Sequence, residues 1–194
     1  DRFVTRAQAL RLGDGRLPTT DVGPVVNEAQ LKRVHSYTKV GLKEGAKLLC
    51  GGEISKEGDC RKGFFYAPTV FGDVVPKMRI AQEEIFGPTV TVLPVAGLDE
   101  AIEVANAVRY GLSSAIYTRD INKAFRAIEA LGSGITYVNA STIGAEVHLP
   151  FGGTRQTGSG HREGGRQVLD VFTEWKTVYI DYSGKLQRAQ IDMS

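Results

Sequence analysis

Glu83-Glu84-Ile85-Phe86-Gly87-Pro88 sets two carboxylates beside an aromatic ring and closes on a Gly-Pro pair. A carboxylate such as Glu84 can accept paired hydrogen bonds from a vicinal diol, as acidic residues do in other diol-binding turns. An aromatic such as Phe86 can pack on a planar ring. Gly87-Pro88 would fix a tight turn that holds both in place. The same residues equally suit a solvated charge at a strand end and a core aromatic. A second cluster is Pro150-Phe151-Gly152-Gly153 followed by Thr157-Gly158-Ser159-Gly160, where the glycines permit close backbone approach around Phe151. Gly158–Gly160 reads as a turn, since no strand leads into it as a phosphate loop requires. Glu146 and His148 suggest acid–base chemistry but read as a surface pair, and His161 reads as structural. Cys50 and Cys60 have no metal-ligand spacing. A short Gly-rich hairpin could bring them into one bridge; two free thiols are the ordinary state in a reducing compartment.

These residues need elements to position them. Phe3, Ala7 and Leu10 recur at helical spacing over residues 1–12, and Gly13 breaks the pattern. Asn27 can cap a helix carrying Leu31, Val34, Val40 and Leu42. Lys47–Cys50 reads as a short strand, residues 53–63 as an exposed hairpin, and Phe64–Val70 as a strand that Pro68 confines to an edge or end. Thr89–Val95 is β-branched and apolar, which predicts a buried strand. Asp99 and Asp120 are the expected caps of two further helices, with strands at Ser114–Thr118 and Ile135–Val138. Strand–helix–strand–helix–strand order predicts an α/β fold: a mainly parallel sheet with flanking helices and right-handed crossovers. Ligands of such sheets gather at the carboxyl ends of the strands, here near Pro94, Thr118 and Asn139. Residues 140–166 read as a long glycine-rich loop, Val168–Trp175 as a helix, and Thr177–Tyr182 as a terminal strand.

The chain has 194 residues, 42% of them hydrophobic, which is enough to bury a sizeable core. Its formal charge is +2, from 24 Lys and Arg against 22 Asp and Glu. That balance makes no case for a nucleic-acid partner or an acidic membrane. No apolar run is long enough to span a bilayer. Asp1-Arg2-Phe3-Val4-Thr5-Arg6 shows no signal-peptide pattern and reads like mid-helix, so a cytoplasmic location is expected.

Glu83-Glu84-Ile85-Phe86-Gly87-Pro88 resembles the central signature of the aldehyde dehydrogenase superfamily, and Pro150–Gly153 with Thr157–Gly160 resembles its C-terminal signature. Asp21-Val22-Gly23-Pro24, then Glu44-Gly45-Ala46-Lys47 with Gly51-Gly52, then Asn106 with Tyr110-Gly111-Leu112 lie in the same order as in that family. The tail Tyr179–Gly184 matches its last strand. The resemblance implies a catalytic-domain fold of that type over residues 1–166, with a terminal helix and oligomerisation strand over 167–194. It further implies NAD or NADP as cofactor, an aldehyde as substrate, and a homo-oligomer formed through the C-terminal strand. Glu84 and Phe86 would contact the nicotinamide riboside. Gln30 and Arg33 match helix positions that reach the cofactor's ribose in some members; Lys is common where Arg33 stands, and Arg changes the hydrogen-bond geometry. Those two also suit a solvated helix face. Phe151 would line the aldehyde entrance, and residues 140–149 would supply the contacts that vary with substrate.

The family's chemistry uses a cysteine nucleophile that forms a thiohemiacetal, and a glutamate base. Neither Cys50 nor Cys60 matches the nucleophile's motif; Cys50 falls in an ordinary strand and turn. Both catalytic groups are therefore expected upstream of Asp1, together with the cofactor-binding domain. This leaves two expectations: part of an NAD(P)-dependent aldehyde dehydrogenase, inactive alone, or a non-catalytic assembly or regulatory module of the same fold.

Overall fold

The computed structural model describes residues 1–185. Helix α1 spans Arg2–Gln8 and α2 spans Glu28–Lys43, with strand β1 at Lys47–Cys50 and β2 at Thr69–Gly72. Short helix α3 (Arg79–Gln82) leads to β3 (Thr89–Thr91), then α4 (Leu98–Asn106), β4 (Tyr110–Gly111) and β5 (Ser113–Ile116). Helix α5 (Ile121–Ala130), β6 (Ile135–Val138), β7 (Thr154–Arg155) and α6 (Leu169–Phe172) complete the order.

Helix α2 forms where expected. The Asn27 side chain accepts from the Gln30 backbone N–H, Glu28 complements the first turn and Lys43 the last. It buries Leu31, Val34, Tyr37, Thr38 and Gly41, one continuous stripe. That stripe packs on Tyr66, Phe71, Val74, Met78, Ile80 and Ile85 to make the core. Tyr66 is 1% exposed, and its hydroxyl is satisfied by Thr38 Oγ1 at 2.7 Å and His35 Nδ1 at 3.2 Å.

The expected single, mainly parallel sheet does not form. Three small sheets take its place. β1 pairs antiparallel with β2, which pairs parallel with β3; β5 pairs parallel with β6; β4 pairs antiparallel with β7. The β5–β6 pair follows the expected strand–helix–strand logic, the β2–β3 pair lies outside that expectation, and β3 and β5 share no ladder. The apolar run Thr89–Val95 therefore contributes only a three-residue ladder, and its Val90, Val92 and Val95 are 39–45% exposed rather than buried. Pro94 adds to this by removing a ladder donor.

Other corrections are local. Pro68 ends the stretch before it, so β2 starts at Thr69, while Tyr66 makes only an isolated bridge to Ile54. The excursion 53–63 is not wholly exposed, because Cys60 is buried in it. Gly97, not Asp99, caps α4; Asp99 lies in its first turn, and Glu100 accepts from the Ala96 N–H at 2.6 Å. Asp120 does cap α5, accepting from Asn122 and Lys123. The terminal helix is shorter than expected, a 3-10 turn over Arg166–Val168 followed by α6. Residues 177–182 form no strand, since a strand needs a ladder partner and none of the described residues supplies one.

The carboxyl ends of β5 and β6 are tied reciprocally. Asn139, at φ 55°, accepts from the Thr118 N–H at 2.8 Å and donates to the Thr118 carbonyl at 2.9 Å. The glycine-rich loop beyond is pinned by Arg155. Its Nη1 donates to the Asn106 and Val108 carbonyls at 2.6 Å each, serving the C-terminal end of α4. Gly134 meets the Gly152 carbonyl so closely that a Cβ would overlap it, the close backbone approach expected of Gly152-Gly153.

Candidate functional site

Three side chains project from one face of α2 at three- and four-residue spacing: Gln30, Arg33 and Tyr37. All three engage the segment 83–86. Gln30 Nε2 donates to the Ile85 carbonyl at 2.9 Å and the Phe86 carbonyl at 2.8 Å. Arg33 donates to the Glu84 carbonyl at 2.8 Å. Three consecutive carbonyls of a turn are thus held by one helix. The sequence-predicted residues Gln30, Arg33, Glu84 and Phe86 come together, with Gln30 and Arg33 gripping the backbone of the turn.

The turn itself is built to present Glu84 and Phe86 outward. Ile85 is 7% exposed and belongs to the core. Its neighbours Glu84 and Phe86 consequently point to solvent, Phe86 being 74% exposed. Phe86 also sits at φ 59°, in the left-handed region that disfavours a bulky residue. Such a conformation costs on the order of 1–3 kcal/mol and persists only where surroundings over-determine it. Here the surroundings are the Gln30 hydrogen bonds, the buried Ile85, and Gly87. A Cβ on Gly87 would stand 2.5 Å from Val34 Cγ2, so the backbone lies directly on the core.

Beneath the turn lies a network that the sequence reading missed. Arg79 donates from Nε to one Glu83 oxygen and from Nη2 to the other, both at 2.9 Å. Tyr37 donates its hydroxyl to Glu83 Oε2 at 2.5 Å. The bidentate Arg79 pair, and then the Tyr37 hydroxyl, pull the Glu83 carboxyl down to about 2. Glu83 in return, together with burial, raises the Tyr37 phenol above its ordinary value. The guanidinium carbons of Arg33 and Arg79 lie 5.1 and 5.6 Å from the Tyr37 ring centroid, within cation–π range. Arg79 is itself fixed at its backbone N–H by Glu44 at 2.8 Å. The signal for this network was present as the four-residue steps Arg33–Tyr37 and Arg79–Glu83.

Phe151 is held elsewhere. It exchanges two backbone hydrogen bonds with Glu163, at 2.6 and 2.7 Å. Its side chain borders a cavity of about 280 Å³ shared with Gly153, Thr157, His161, Arg162 and Phe172. No residue of the 83–87 turn lines that cavity, so the two predicted site regions are separate features here. Cys50 and Cys60 are free and buried, and the Cys50 thiol donates weakly to the Pro68 carbonyl at 3.7 Å. Among the described residues no group of three His, Cys, Asp or Glu is placed to hold a metal ion. No helix among them is long and apolar enough to cross a membrane.

Residues 1–178 match the model of the aldehyde dehydrogenase family. An alpha-ketoglutaric semialdehyde dehydrogenase of Bacillus subtilis is 37% identical over 180 residues, covering 93% of this chain and 37% of the relative. A betaine aldehyde dehydrogenase of Mesorhizobium japonicum is 40% identical over 181 residues, again 93% of this chain and 37% of the relative. Among solved structures, the NAD+ complex of an aldehyde dehydrogenase from Bacillus cereus superposes with a TM-score of 0.88 at 40% identity, covering 94% of this chain and 36% of that one. A betaine aldehyde dehydrogenase from Staphylococcus aureus in complex with NAD+ gives 0.85 at 35% identity, over 88% of this chain and 34% of its own. The chain thus spans little more than a third of the length of these relatives. Family model, sequence relatives and superposed structures agree, and the chain belongs to the aldehyde dehydrogenase family.

Proposed function

We propose that this chain supplies the nicotinamide-facing turn and part of the aldehyde entrance of an NAD(P)-dependent aldehyde dehydrogenase. The reaction of the whole protein is oxidation of an aldehyde to a carboxylic acid through a cysteine thiohemiacetal. The observation that carries this reading is the turn at Glu84–Phe86. An aromatic side chain is held outward in a disfavoured conformation, and a carboxylate beside it has no ion-pair partner among the described residues. That pair fits a nicotinamide riboside: the Glu84 carboxylate accepts from the ribose diol and Phe86 packs against the ring. The cofactor's contribution when bound is to accept hydride from the substrate carbon. Gln30 and Arg33 serve the same site by fixing the turn's carbonyls, and Phe151 shapes the aldehyde's approach. On this reading residues 1–166 are the catalytic-domain part and 167–194 the terminal region, in which 177–182 would become a strand only on association; residues 186–194 lie outside the described residues.

Cys50 and Cys60 are core thiols and do not supply the nucleophile. The chain by itself is therefore expected to give no aldehyde-dependent reduction of NAD or NADP. The test is an absorbance assay of the purified chain with a panel of aldehydes; turnover without any added protein would refute the assignment. Titration with nicotinamide mononucleotide, read by NMR, tests the binding half. Perturbation of Glu84 and Phe86 supports it, and an unperturbed turn at saturating ligand refutes it.

Thr177–Tyr182 supports homo-oligomerisation by strand addition. Val178, Tyr179 and Ile180 are 62%, 91% and 72% exposed, and the segment finds no ladder partner among the described residues. Sedimentation that shows a strictly monomeric folded chain at high concentration would refute this part.

A further inference from the structure

We propose that Tyr37 and Glu83 are positioning residues for the Glu84–Phe86 turn, acting on it through Arg33 and through the chain direction at Glu83. This goes beyond the cofactor assignment and rests on it. The geometry gives two routes. The Tyr37 ring lies under the Arg33 guanidinium at 5.1 Å, and that guanidinium holds the Glu84 carbonyl at 2.8 Å. The Tyr37 hydroxyl holds Glu83, whose carboxylate is also clamped by Arg79 across one helical turn. Glu83 directly precedes Glu84, so fixing its side chain fixes where the turn leaves α3. Neither Tyr37 nor Glu83 has to touch a cofactor for this. Tyr37 is 7% exposed, and its hydroxyl donates to Glu83 and accepts from Arg33 Nη2 at 3.4 Å.

A buried tyrosine could serve only the core, and the pH response separates the two roles. The groups facing the Glu83 carboxylate are Arg79 on its own helix end, Tyr37 from α2 and Arg109 from beyond α4; Arg33 faces Tyr37 and Glu44 faces Arg79. Protonation of Glu83 removes the charge that strengthens both clamps.

The experiment follows the isotopically labelled chain by NMR from neutral pH downward. The Phe86 Cα shift reports its left-handed backbone, and the Tyr66 ring reports the core. In the unsubstituted chain the Phe86 shift should hold until Glu83 titrates at about 2. Tyr37→Phe keeps the ring and removes the hydroxyl. Its Phe86 inflection should move up toward the ordinary carboxylate range with the Tyr66 signals unchanged. Glu83→Gln should abolish the inflection. Tyr37→Leu should lose the left-handed Phe86 shift already at neutral pH. An inflection unmoved in Tyr37→Phe overturns the proposal, as does a Phe86 shift in Glu83→Gln that matches the unsubstituted chain at every pH. If Tyr37→Leu fails to fold, the other two variants still decide. Nicotinamide mononucleotide added to the unsubstituted chain separates the layers. A silent turn in that titration sinks the cofactor assignment, whereas an unchanged pH profile sinks the positioning role.

Discussion

Gly87→Ala should destabilise the chain, and Val34→Ala should largely absorb the damage. A Cβ built on Gly87 falls 2.5 Å from Val34 Cγ2 and 3.0 Å from Cγ1. Real Cβ atoms do not approach carbon that closely, so something must move. Val34 has nowhere to go, being 0% exposed at the centre of the α2 stripe. Overpacking of this kind costs about 2 kcal/mol, within a range of about 1–3. Val34→Ala deletes the two offending methyls. At about 0.8 kcal/mol per methyl-sized group plus a cavity term, that single change costs about 2–3 kcal/mol. With both changes the new methyl occupies space the valine vacated, and the remaining contact is the Val34 Cβ at 3.4 Å, ordinary packing. The double variant should therefore cost about 2–3 kcal/mol, not the roughly 4–5 that independent sites would give. Urea unfolding of the four proteins, with slopes unchanged and midpoints compared, measures the cycle. Additivity to within about 0.5 kcal/mol would refute the claim that the turn rests on Val34. A neutral Gly87→Ala would refute it as well.

Asn27→Ala should lower stability by about 1 kcal/mol through loss of the α2 cap, seen as a shifted urea midpoint. Asp120→Ala should do the same at α5, where two backbone N–H groups lose their acceptor. Acid should destabilise the fold in a defined window. Glu83, Asp14 and Asp21 all titrate at about 2 when folded, below their unfolded values, so their contribution is complete above the unfolded carboxylate range and is lost as pH falls toward 2. Thermal midpoints recorded against pH check this, and a flat profile across that range would contradict it. Cys50 and Cys60 are buried, so a thiol reagent should label both slowly in buffer and promptly in urea; prompt labelling in buffer would contradict their placement.

The local elements were legible because their signals are local. Asn27 before an amphipathic run, Asp120 before another, and Ile135–Val138 as a β-branched stretch each carry their own stop or start, and the structure has all three. Pairing was less legible. The alternation of strands and helices does produce the parallel pair of β5 with β6, while the parallel pair of β2 with β3 lay outside it. It does not say whether β3 and β5 join, because that depends on where β4 goes. In the structure β4 turns to pair with β7, more than forty residues later in the chain, and is held there by the Thr154 hydroxyl on the Gly132 and Gly111 carbonyls. The candidate site was legible in residue type and not in role. Gln30 and Arg33 stood out by position, yet what they grip is backbone, which has no sequence signature.

The two halves of the chain differ in how they spend their apolar residues, and this bears on the family assignment. Every member of the main core cluster lies between Leu31 and Ile85. In the later half, α5 buries only Ala124 and Ala127, while Ile121, Phe125 and Ile128 on the same helix are 65%, 59% and 44% exposed. A helix with a well-capped start and an apolar stripe is patterned to pack against something. Contiguous exposed apolar surface of this kind marks an interface. β3 shows the same thing at a sheet edge, with its Val90 39% exposed beside an apolar cleft lined by Phe3, Leu10, Val22 and Val70. The chain spans little more than a third of its relatives' length, and these uncovered apolar surfaces are patterned for burial. The Glu84–Phe86 turn is different in kind. Its exposed aromatic belongs to no apolar stripe and carries a disfavoured backbone angle, and the turn's three carbonyls are held by Gln30 and Arg33. Burial against another protein surface needs apolar area alone, whereas a backbone held in position is what the proposed contact of Glu84 and Phe86 with a nicotinamide riboside requires.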